Sequence, residues 1–136
     1  MTVAPIRSYN RSDWASAFVN VEEELTDVVI SPVSGTVPAA LNGTFYRNGP
    51  GRMERDGHRV HHPFDGDGMI SRFSLDGGTC HFSNRYVRTR EWEEEEAADK
   101  LIYRNTFGTQ PRGGMATNIG DIWQRNVANT NVALSS

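Results

Sequence analysis

Met69-Ile70-Ser71-Arg72-Phe73-Ser74-Leu75, then Asp76-Gly77-Gly78, then Thr79-Cys80-His81-Phe82-Ser83-Asn84-Arg85-Tyr86-Val87-Arg88 read in order as a strand, a tight turn and a returning strand. Successive side chains on a strand point to opposite faces, so Met69, Phe73 and Leu75 share one face of the first run. Cys80, Phe82 and Tyr86 share one face of the second. An Asp-Gly-Gly step supplies the left-handed backbone that a two-residue hairpin loop needs. The stretch therefore predicts a β-hairpin over about residues 69–88.

Upstream of the hairpin, Gly43-Thr44-Phe45-Tyr46-Arg47-Asn48 has the composition of another strand, expected to stop at Gly49-Pro50-Gly51. Residues 52–62 are charged and turn-rich, and 31–42 are loop-like, punctuated by Pro32, Gly35 and Pro38. Trp14, Ala17 and Phe18 recur at helical spacing behind Ser12-Asp13, which predicts a short N-terminal helix over 7–20, with 21–24 a solvated extension. Downstream, Glu91 to Lys100 is an acidic run that reads as a solvated helical turn. Leu101-Ile102-Tyr103-Arg104 reads as a short strand, and Met115, Ile119, Ile122 and Trp123 follow the spacing of an amphipathic helix. Short strands at intervals of about 8–12 residues, with turns between them, indicate an all-β sandwich, barrel or propeller.

The chain has 136 residues, enough for one core, and a formal net charge of −3 with no basic patch that would suit nucleic acid. Cys80 is the single cysteine, so no intrachain disulfide can form, and a reducing, cytoplasmic setting is expected. No apolar run has the length of a signal peptide or a membrane span. Asn10-Arg11-Ser12 and Asn42-Gly43-Thr44 fit the glycosylation pattern, and in a cytosolic chain they are chance matches.

Three motifs invite a metal or phosphate reading. His58-Arg59-Val60-His61-His62 has the spacing of ligands on a helix, but Gly57 before it and Pro63 after it argue against a helix, and no further Cys or carboxylate set completes a zinc site. Asp65-Gly66-Asp67-Gly68 begins like a calcium loop, yet Met69 and Ile70 stand where an oxygen ligand and a glycine are needed. It reads instead as a turn entering a strand, whose glycines permit positive φ and whose aspartates can bond backbone N–H groups. Gly49-Pro50-Gly51 lacks the Lys-Ser/Thr that a phosphate loop requires. Cys80 lies mid-strand with no cationic partner by spacing, and no catalytic residue is identified.

Several runs, taken together and in order, resemble the carotenoid oxygenase (carotenoid cleavage dioxygenase) family, in particular its cyanobacterial-type apocarotenoid-cleaving members. They are Leu41-Asn42-Gly43-Thr44-Phe45-Tyr46-Arg47-Asn48-Gly49-Pro50-Gly51, His61-His62-Pro63-Phe64-Asp65-Gly66-Asp67-Gly68-Met69, Asn84-Arg85-Tyr86-Val87-Arg88-Thr89, Tyr103-Arg104 leading to Phe107-Gly108-Thr109-Gln110, and Asn126-Val127-Ala128-Asn129-Thr130-Asn131. The resemblance runs from about Arg7 to the end. It implies an all-β fold, the N-terminal portion of a seven-bladed β-propeller: a first blade and part of a second within residues 1–136, with a short N-terminal helix and a helical insertion.

The same resemblance implies a full-length enzyme that holds Fe(II) through four histidines and uses O2 to split a conjugated double bond of a carotenoid or apocarotenoid into carbonyl products. All four ligands would lie C-terminal to this chain, so the chain alone is expected to bind no catalytic iron and to be inactive. By match to the family, Phe64, Phe107 and Phe18 are the candidate substrate-binding residues, as walls of an aromatic tunnel. The Met115–Trp123 region corresponds to a helical segment near the tunnel mouth and suggests peripheral membrane contact. A stilbene-cleaving relative and a non-catalytic propeller or binding module remain as alternatives.

Overall fold

The computed structural model describes residues 16, 18–32, 34–114 and 123–133. Among them, β1 (Val28–Ile30), β2 (Gly43–Arg52), β5 (Asp67–Asp76) and β6 (Thr79–Tyr86) form one antiparallel sheet in the order β1-β6-β5-β2. β3 (Glu54–Arg55) and β4 (His58–Arg59) form a separate small hairpin. A short 3-10 turn spans Pro63–Asp65, and α1 covers Arg90–Ala98. A four-stranded antiparallel sheet is the unit from which propellers are assembled.

The predicted hairpin is present as β5 and β6. Phe73 faces Phe82, Leu75 faces Cys80 and Met69 faces Tyr86 across the pair, as the alternation requires. Gly77 and Gly78 both adopt positive φ, 54° and 88°, the backbone that a tight hairpin turn demands. The rings of Phe73 and Phe82 lie 5.0 Å apart, and that of Phe45 on β2 lies 6.0 Å from Phe73, so one aromatic row crosses three strands.

β2 does not stop at Gly49-Pro50-Gly51. It runs through to Arg52 and absorbs the interruption as a bulge between Pro50 and Arg52. Among the described residues β2 pairs only with β5, and an edge strand tolerates a residue without an N–H. Gly51 is needed for space: a Cβ there would stand 2.7 Å from that of Met69 and 2.9 Å from the Tyr86 ring.

The charged stretch 52–62 holds the β3–β4 hairpin, whose flanks bury Met53 and Val60 against Leu101, with Phe18 packed on this cluster. Residues 21–24 are not helical. They run extended along the sheet, with the Val21 N–H donating to the Gly51 carbonyl at 2.8 Å and the Glu24 carboxylate accepting from the Tyr86 N–H at 2.7 Å. Leu101–Arg104 forms no strand, only an isolated parallel bridge between Arg104 and Gln124. The predicted helix over 7–20 falls almost wholly outside the described residues, as does Met115 to Ile122. Trp123 is non-helical and 57 % exposed.

Candidate functional site

The site is built around Asp65, which is 1 % exposed. The 3-10 turn is capped by His62, whose Nδ1 accepts from the Phe64 N–H at 3.1 Å, and Pro63 fits the first position because no donor is needed there. The turn delivers the Asp65 carboxylate inward, where it accepts from the N–H of Phe107 at 2.9 Å, the N–H of Thr109 at 3.1 Å and the Thr109 hydroxyl at 2.7 Å. The same hydroxyl oxygen accepts from the His61 N–H at 2.8 Å. Asn129 closes the other side, donating to the carbonyls of Phe64 at 2.9 Å and Gly66 at 2.7 Å. One buried carboxylate thus ties the Phe64 turn to the Phe107 loop, more than forty residues further along.

That tie brings two of the three predicted wall residues together. The rings of Phe64 and Phe107 meet edge to face at 5.4 Å, the His62 ring stacks on Phe107 at 4.7 Å, and His62 meets Phe64 at 5.1 Å. Phe64 and Phe107 are each about half exposed, so the cluster presents an apolar face rather than filling a core. Phe18 is placed differently. It packs against the Met53, Val60 and Leu101 cluster and borders a cleft with Val21, Pro50 and Met69.

Gly66 and Gly68 follow the turn, and their role is space rather than the positive φ expected from the sequence. Gly66 has φ −74°, and its Cβ would meet the Met53 sulfur at 2.6 Å. A Cβ on Gly68 would lie 2.2 Å from the Ala128 carbonyl oxygen, because the 127–129 segment rests directly on this strand and the Gly68 N–H donates to Val127 at 2.7 Å.

Beside the aromatic face lies a buried charge network that the acidic run concealed. Glu91 and Glu95 are buried, contrary to the expectation of a solvated turn, and Glu95 has no exposed surface. Glu95 Oε1 accepts from the N–H groups of Ile102 at 2.8 Å and Tyr103 at 3.0 Å, while Oε2 lies 3.0 Å from Arg125 Nη1 and 3.7 Å from Arg55 Nε. Asp67 bridges the same two arginines, at 2.9 Å from Arg55 Nη2 and in direct contact with Arg125. Two buried acids therefore balance two buried bases. Burial pushes the Glu95 carboxyl up, against the pull of the Tyr103 and Ile102 N–H groups and of Arg55. Burial, with the nearby Arg55 charge, brings Arg125 down to about 9. Helical spacing places Glu91 and Glu95 on one face of α1, and that period was the signal available in the sequence.

The described residues do not fit an iron centre. Among the described residues no three His, Cys, Asp or Glu side chains converge on a point that could hold a metal ion. His62 uses Nδ1 as the cap of the Phe64 turn, and His81 Nδ1 lies 3.3 Å from the Asp27 carboxylate.

A sequence profile of the RPE65 family (retinal pigment epithelial membrane protein) matches residues 18–135. This chain belongs to the RPE65 family. Among RPE65-family relatives it is 44 % identical over 127 residues to the apocarotenoid-15,15'-oxygenase of Synechocystis sp., a match that covers 93 % of this chain and 26 % of that enzyme. It is 32 % identical over 90 residues to human beta,beta-carotene 15,15'-dioxygenase, covering 66 % of this chain and 16 % of the relative. Cobalt-substituted Synechocystis ACO superimposes with a TM-score of 0.88 at 43 % sequence identity, over 95 % of this chain and 27 % of that structure. The all-β propeller class and the carotenoid oxygenase resemblance read from the sequence agree with these matches. The chain spans about a quarter of the length of these Synechocystis relatives.

Proposed function

We propose that this chain is the N-terminal portion, a first blade and part of a second, of a non-haem Fe(II) dioxygenase that cleaves a conjugated double bond of a carotenoid or apocarotenoid to two carbonyl products. The observation that carries the reading is the exposed Phe64–Phe107 face, braced by His62 and Asp65, on a chain 44 % identical to an apocarotenoid oxygenase. Aromatic faces suit a rigid conjugated chain: they bury it by area and need no hydrogen-bond partner from it. The chain's own contribution is to hold that wall. Phe18, on its separate cleft, is a second wall position.

Iron would be held by other residues of the full-length protein, and the 136-residue chain alone is inactive. The full-length protein is cytoplasmic in this reading and touches membranes shallowly through the segment that ends at Trp123. No described helix is long and apolar enough to cross a bilayer.

The test is aerobic incubation of the Fe(II)-loaded full-length protein with an apocarotenal, with products separated by chromatography and identified by mass. Two carbonyl fragments are expected. Cleavage of a stilbene but not of any apocarotenoid would move the substrate class to the stilbene relatives, and turnover of neither would leave the binding-module alternative. Phe64→Ala is expected to raise KM about tenfold, the loss of roughly 1.4 kcal/mol of ring contact, with a smaller change in kcat.

A further inference from the structure

A cavity of about 310 Å³ is lined by Arg55, Asp56, His58, Lys100, Leu101 and Arg112, none of which belongs to the aromatic face. The β3–β4 turn forms one side. Asp56 and Gly57 both take positive φ there, 47° and 65°, and the Arg112 guanidinium lies over the turn, its Nη2 3.8 Å from where a Cβ on Gly57 would stand.

The charges around this cavity do not cancel. Arg55 is committed to Asp67, Glu95 and Glu96 on its inner side. Lys100 forms no ion pair among the described residues. Arg112 has one, a 3.7 Å contact with Asp56 in which both side chains are more than half exposed, and such a contact contributes little. With Arg55 offset, Lys100 and Arg112 leave one positive charge in excess over Asp56, before His58 is counted. Leu101, 7 % exposed, provides an apolar wall.

We propose that this cavity is an anion site that takes an oxyanion, a phosphate or a carboxylate, between Arg112, Lys100 and His58. A guanidinium fork matches the paired oxygens of such groups, and a lysine adds a point charge without fixed geometry. The inference is independent of the oxygenase reading, since it uses neither the aromatic face nor a metal.

His58 reports on occupancy. Its pKa is held below the ordinary histidine value by partial burial, by the Arg112 charge and by His61. A bound oxyanion reverses the sign of that field and raises the pKa. By reciprocity the anion binds more tightly as His58 becomes protonated. The groups that face His58 in this balance are Arg112, His61, Asp56, Lys100 and Arg55.

The experiment titrates histidine-labelled full-length protein by NMR in inorganic phosphate, acetate or chloride at matched ionic strength. Phosphate is expected to raise the His58 midpoint by about 0.5 or more relative to chloride. An equal response to acetate identifies a carboxylate-tolerant site, and a response to phosphate alone identifies a phosphate site. The Lys100→Gln/Arg112→Gln double variant, changed only at exposed positions, should weaken the response at least about tenfold in anion concentration. The proposal is overturned if neither anion moves His58 more than chloride does, or if the double variant responds as the wild type does.

Discussion

Glu95 shows how one side chain can organise distant parts of a chain. Its carboxylate meets the N–H groups just beyond α1 and two arginines seventy residues apart in sequence, Arg55 and Arg125. Removing a buried ion from water is costly, and the cost is recovered only when every partner is present. Glu95→Gln keeps an oxygen for the Ile102 and Tyr103 N–H groups but leaves Arg125 with Asp67 alone and Arg55 with Asp67 and the half-exposed Glu96. The expected loss is about 3–5 kcal/mol of stability in the full-length protein, measured by urea denaturation. A loss below 1 kcal/mol would show that water already shields the arginines. This residue was legible only in part. The acidic run Glu91 to Lys100 looked like a solvated surface because charge density says nothing about partners, and those partners, Arg55 and Arg125, lie far away in sequence. Phe64 and Phe107, the proposed wall residues, are easier to single out in the sequence, since motifs carry them. Asp65, which joins them, gave only the general signal of an aspartate in a turn.

At the scale of elements, local chemistry predicted what local chemistry decides. The β5–β6 hairpin follows from alternation and from the glycines at 77 and 78, all contained within twenty residues. The ends of β2 and the whole of β1 do not follow in this way. Gly49-Pro50-Gly51 reads as a stop by propensity, but β5 supplies a partner that carries the strand past it, and Val28–Ile30 becomes a strand because β6 offers it an edge. The small β3–β4 hairpin was hidden in charged sequence, and His58 at its second strand gives it a pH response. Partial burial, Arg112 and His61 lower the His58 pKa below 6.5 in the folded state. The unfolded chain therefore binds the proton more readily than the native one. Stability is full above the unfolded value of 6.5, and it falls as pH drops below that value towards the lowered native one. His58→Gln should remove this component. Urea midpoints of wild type and variant, compared from about pH 8 to about pH 5, are expected to show the wild type losing more stability than the variant towards the acid end. Parallel curves would place the acid sensitivity elsewhere.

For the whole molecule, what is buried and what is exposed bear on the same question. The buried apolar residues among those described are Met53, Val60, Met69, Tyr86 and Leu101, and twice as many buried residues are polar or charged. Val28, Val29 and Ile30 on β1 and Phe45 and Tyr46 on β2 are exposed, and these are the two outer strands of the sheet. Each carries a row of backbone donors and acceptors with no partner strand beyond it among the described residues, an arrangement that invites pairing with another chain. A polar interior gives specificity through its geometry, but it supplies little of the area-proportional free energy that offsets chain entropy. The 136-residue chain expressed by itself should therefore melt broadly, bind hydrophobic dyes before heating and associate as its concentration rises. A longer chain that covers β1 and β2 should melt in one steep transition. Calorimetry and dye binding on both lengths make the comparison. A sharp, concentration-independent transition in the short chain would mean that its charge network and hairpin suffice to hold it, and that its exposed strands need no further blade to pack against.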